Sequence, residues 1–126
     1  MIRFRELYYV PFDTEIPTPT TKDSIRNPGW LLHKEVFPQT RQEDLMAYLT
    51  AKGNRCCPGR LDDRDVRLRI NFEDSSGILL ADGKGCVNFS NQSFYLIPGA
   101  FFHAYIILEE YKILTRVRLR RKNGRG

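Results

Sequence analysis

The chain has 126 residues and a mass of 14.7 kDa, with 41% hydrophobic, 28% charged and 12% aromatic residues. That size and balance suit one domain with its own core and exclude full disorder. No run approaches the ~20 apolar residues of a bilayer span, and the N-terminal Met1-Ile-Arg-Phe-Arg-Glu-Leu7 lacks the apolar centre of an export signal, so the expectation is a cytoplasmic protein without membrane contact. Twenty Lys and Arg against fifteen Asp and Glu give a net charge of +5. Six of the basic residues (Arg116, Arg118, Arg120, Arg121, Lys122 and Arg125) lie in the last eleven positions, and the first 115 residues carry fourteen basic against fifteen acidic residues. The positive excess is therefore a local, C-terminal feature.

In chain order, Ile2 to Val10 alternates Arg3 and Arg5 with Ile2 and Phe4 and predicts a strand that Pro11 ends. Residues 11–29, rich in Pro and Thr without an apolar period, predict a long irregular loop. Trp30 to Glu35 reads as a short strand. Thr40-Arg-Gln-Glu43 has the capping-box pattern, and Leu45, Met46 and Leu49 follow at helical spacing, so a helix is expected from Thr40 to a stop at Gly53-Asn54. Arg55 to Asp65 is a polar loop. Val66, Leu68, Ile70 and Phe72 then alternate with Arg67, Arg69 and Asn71, the clearest period-two signal in the chain.

Ile78–Leu80, Cys86–Phe89 and Phe94–Ile97 continue as strands of an antiparallel meander, with Asp82-Gly-Lys-Gly85 as a hairpin turn rather than a phosphate loop. Ala100 to Tyr111 reads as a helix starting near Pro98. Ile113, Thr115, Val117 and Leu119, alternating with Leu114, Arg116, Arg118 and Arg120, predict a final strand. Together these elements predict an α+β fold: a mostly antiparallel sheet of about five or six strands with one or two helices packed on one face. The expected organisation is a single domain over 1–126 with the irregular loop 11–29 and a basic tail over 121–126.

Three predicted strands carry arginine at alternate positions: Arg3 and Arg5, Arg67 and Arg69, and Arg116, Arg118 and Arg120. In a sheet with one wet face all seven point the same way, and like charges side by side lose stability unless acids interleave or a partner brings countercharge. The expected partner is an acidic protein, with Trp30 as an aromatic anchor, and the expected role is non-catalytic binding of the toxin-neutralising, immunity or antitoxin type. The alternative is a nucleic acid bound through the same face and the tail, but only Tyr9 shares the arginines' parity, so stacking groups are scarce.

His33 and His103 are the candidates for an acid/base pair in phosphodiester cleavage, although His103, inside an apolar run, reads as a core residue. Asp62, Asp63 and Asp65 interleave with Arg60, Arg64 and Arg67, and the three cysteines and two histidines lack paired zinc spacing, so no metal or cofactor is expected. Cys56, Cys57 and Cys86 are odd in number, with two adjacent, which prevents a full disulfide framework and points to reduced thiols.

Overall fold

The computed structural model describes residues 3–54, 65–74 and 77–123. Six strands, β1 (Phe4–Tyr9), β2 (Leu31–Leu32), β3 (Val66–Phe72), β4 (Ile78–Asp82), β5 (Cys86–Phe89) and β6 (Gln92–Tyr95), form one sheet in the order β2-β1-β3-β4-β5-β6. Every neighbouring pair is antiparallel. Two helices, α1 (Gln39–Leu49) and α2 (Pro98–Asn123), pack against each other, and their buried residues join the apolar face of the sheet in one core. This is the α+β architecture that the alternation in β3 and the turns after it predict.

The β3–β4–β5–β6 meander follows from its turns. Asp82 Oδ1 accepts from the backbone N–H groups of Lys84 (2.8 Å) and Cys86 (3.0 Å), and Gly85 takes φ +94°, so Asp82-Gly-Lys-Gly85 closes a hairpin. Ser90 and Asn91 both have positive φ (54° and 61°), the left-handed pair that matches the strand twist of a two-residue hairpin between β5 and β6. Leu68, Ile70 and Phe72 of β3 meet Leu79, Ala81, Val87 and the helices in the main core.

α1 begins at Gln39, one residue before the expected Thr40, with Pro38 as its N-cap and no side-chain cap. Pro38 has the extended ψ of a cap, and its carbonyl accepts from Arg41 N (3.0 Å) and Gln42 N (3.2 Å), so the helix needs no threonine hydroxyl. The helix ends at Thr50, before Gly53-Asn54, and Thr50 Oγ1 donates to Met46 O (2.7 Å). The expected strand at Trp30 to Glu35 shrinks to Leu31–Leu32 between the 3-10 turns Pro28–Trp30 and Lys34–Val36.

The expected final strand is corrected outright. Ile113 to Arg120 continues α2, which runs for 26 residues. Between Gly99 and Gly124 the sequence has neither glycine nor proline, so nothing stops the helix, and Leu and Arg are good helix formers. The helix also takes in 121–123 of the expected tail.

Candidate functional site

Much of the second face of the sheet is covered rather than open to water. Residues 11–29 fold back over it, and Ile25, Tyr8, Val10, Val66, Leu80 and Cys86 form a second apolar cluster beneath. Each proline of the segment lacks an N–H and the segment has no ladder of its own, so some of its carbonyl groups take donors from elsewhere. The arginines of β3 supply them. Arg67 Nη1 donates to Pro11 O (2.8 Å) and Thr14 O (2.5 Å), and its Nε donates to Asp65 Oδ2 (2.9 Å). Arg69 Nη1 donates to Lys22 O (2.8 Å) and its Nε to Asn71 Oδ1 (2.9 Å), with Asp23 at 3.5 Å. Both residues are buried, at 8% and 5% exposure. Burial and the nearby Arg26 lower the pKa of Arg69.

The single arginine face is therefore corrected. Arg67 and Arg69 face inward and hold the loop; Arg116, Arg118 and Arg120 are on α2, not on a strand. Arg3 and Arg5 are exposed at the start of β1, where Arg5 Nη2 donates to Glu73 O (3.3 Å). A register shift between Phe4 and Glu6 breaks the parity of β1: Tyr9 joins the main core on the helix side, while Tyr8 faces the loop. Trp30 is half-buried in its 3-10 turn and packs against the second cluster, which leaves little of it to anchor a partner.

A groove of about 350 Å³ remains where Arg5, Arg26 and Arg69 approach Glu6 and Asn71. Hydrogen bonds from Asn71 (2.8 Å) and Tyr8 (2.9 Å), with Arg26 and Arg5 nearby, hold the Glu6 carboxyl below the usual range despite partial burial. Glu6 is thus satisfied by its neighbours within the groove.

A cluster of positive charge without acid partners among the described residues lies on α2. Ala104, Leu108, Tyr111 and Thr115 form its buried face, and Thr115 Oγ1 accepts from His33 N (3.2 Å) at the edge formed by β2. Arg118 and Leu119 continue that face, seven residues after Tyr111 and four after Thr115, yet both are exposed. The helix has run past the sheet. Over this overhang Arg116, Arg118, Arg120 and Arg121 are all exposed, and none pairs with an acid among the described residues. Ile113, Leu114, Val117 and Leu119 are interleaved with them at 56%, 39%, 38% and 40% exposure. Helix continuity, which would have brought these aliphatic residues and Arg121 into the site, was the sequence signal for them.

The two histidines do not form a pair. His103 is exposed on α2 and stacks on Tyr48 (4.9 Å between ring centroids) instead of lying in the core. It stands twelve residues, ~18 Å of helix, from the Thr115 that binds His33. Asp62 and Asp63 lie outside the described residues, and Asp65 is paired with Arg67 at 2.9 Å. Among the described residues no three His, Cys, Asp or Glu side chains gather as a metal site, and no helix is long and apolar enough to cross a membrane. The expectation of reduced thiols is corrected at Cys86, which is disulfide-bonded and 1% exposed. Searches of protein-family models, curated proteins and solved structures find no match to the chain.

Proposed function

We propose that the protein is a non-catalytic binding protein that docks an acidic partner protein through the overhang of α2, in the manner of a toxin-neutralising, immunity-type factor. The observation that carries this reading is the exposure of Arg116, Arg118, Arg120 and Arg121, unpaired among the described residues and interleaved with Leu114, Val117 and Leu119. Guanidinium forks suit carboxylates, and aliphatic side chains beside them supply the desolvated anchors that a protein interface needs. The overhang has no aromatic residue on which a base could stack, which favours a protein over single-stranded nucleic acid. The Cys86 disulfide weighs against a reducing cytosol as the place of encounter.

The test is capture from nuclease-treated extract of the native host, with the captured protein then purified and titrated against the chain by calorimetry. An acidic protein should bind one to one, and the double substitution Arg118→Glu/Arg121→Glu should weaken it at least about tenfold, the loss of more than ~1.4 kcal/mol expected when charge-assisted contacts become repulsive. Retention of nucleic acid alone, with affinity falling steeply as salt rises, would transfer the overhang to the nucleic-acid reading.

A further inference from the structure

A second surface lies on the side of α2 away from the sheet. Phe102, Ile106, Ile113 and Val117 are 58%, 45%, 56% and 38% exposed. They follow one another at intervals of four, seven and four residues, each close to whole helical turns, and so lie on one stripe ~23 Å long. Solvated helix faces carry charge and polar groups, so four large apolar side chains in line call for a cover.

The spacing reads the same in both directions. A twofold axis between Glu109 and Glu110 would set Phe102 of one copy against Val117 of another and Ile106 against Ile113, and would do so twice, as an isologous interface requires. The acids on the axis do not repel strongly, because Glu109 is paired with Lys112 (2.7 Å) and Glu110 with Arg41 (3.0 Å) in the same chain. Charge then chooses the direction. The first half of α2 borders a shallow hollow of about 380 Å³ lined by Phe12, Asp13, Phe101, Phe102 and Tyr105, where Phe12 stacks on Phe101 at 5.2 Å and Asp13 Oδ2 accepts from Tyr105 Oη (3.1 Å). The second half carries Arg116 and Arg120 on the stripe. Antiparallel pairing brings Arg120 of one copy to the aromatic faces and carboxylate of the other, a cation–π and ion-pair site, whereas parallel pairing stacks arginine on arginine.

We propose that the chain self-associates as a twofold dimer through this stripe, with α2 antiparallel to its copy. The stripe shares Arg116, Val117 and Arg120 with the docking surface above, whose Arg118 and Arg121 lie off it, so a second copy and an acidic partner compete for that end of α2. A single helix pair falls short of the ~1,200 Å² of a standard interface, so the dimer is expected to form at about micromolar concentrations or above.

Sedimentation velocity on the full chain from about 5 to about 500 µM should show the mass rising from one chain toward two. Ile113→Asp, at an exposed position, should keep its circular dichroism melt and weaken the dimer at least about tenfold. Mixing Ile106→Cys with Ile113→Cys under mild oxidation should yield a cross-linked peptide joining positions 106 and 113. Neither variant alone should link to itself at that position, since like positions stand ~10 Å apart along the axis. A chain monomeric throughout the range, an Ile113→Asp chain that dimerises as the parent does, or a 106-to-106 link in the single variant would each overturn the proposal.

Discussion

Two buried tyrosines on the helix side of the sheet show how a hydroxyl's partner decides its worth. Tyr9 Oη donates to Glu109 Oε2 at 2.5 Å. Tyr111, equally enclosed and stacked on Phe37 at 4.1 Å, has the one buried side-chain polar atom without a hydrogen-bond partner among the described residues. Removing that hydroxyl keeps the ring and discards an uncompensated desolvation, so Tyr111→Phe should stabilise the fold by about 1 kcal/mol, while Tyr9→Phe should cost about as much. Urea midpoints at constant m-value will check both. The pH dependence follows from the same burial, which raises the pKa of both phenols, with Glu109 adding to the effect at Tyr9 and Glu35 at Tyr111. A phenol kept neutral in the fold contributes its full stabilisation below the unfolded value near 10, and loses it as the pH rises from there toward the native value. The advantage of Tyr111→Phe should therefore widen above about pH 10.

Alternation was a sound guide where the sheet stays regular, as at Leu68, Ile70 and Phe72, and failed where something other than solvent occupied the second face. Arginine opposite an apolar row usually means water, but the same guanidinium donors serve the carbonyl groups of a folded-back loop, and sequence alone does not say which. The final segment failed differently: Ile113 to Leu119 alternates like a strand, and only the lack of a breaker between Gly99 and Gly124 marks it as helix. For the loop the consequence is measurable. Arg67→Ala would remove the donors to Pro11 O and Thr14 O and the partner of Asp65, leaving Thr14 O without its arginine donor and Pro11 O with only the Thr14 N–H. A loss of about 2–3 kcal/mol is expected. Limited trypsin digestion should then cut first at Lys22 and Arg26 within the released loop, sites that the parent chain should protect. Arg67→Lys, which offers a charge without the planar fork, should restore only part of the loss.

At the scale of the molecule, stability and charge are held in different places. The main core draws on both helices and on all six strands from β1 to β6, and its last helical contribution is Tyr111, with Thr115 the last buried residue of α2 among the described residues. The positive excess begins one residue later, at Arg116, near the helix C-terminus, where the macrodipole favours cations. This separation was half legible in the sequence, since composition located the charge, but only the uninterrupted helix places it clear of the sheet. It predicts that deleting 116–126 leaves a folded protein. Residues 116–121, the described side chains removed, are all exposed, so the melting temperature should fall by no more than about 4 °C, the shift that ~1 kcal/mol produces in a domain of this size. The truncated chain, with fourteen basic against fifteen acidic residues, should elute from a cation exchanger at much lower salt and lose the acidic partner. If the truncation unfolds the chain, the overhang is part of the core; if it folds and still binds, the docking surface lies elsewhere, with the Arg5–Arg26–Arg69 groove the next place to look.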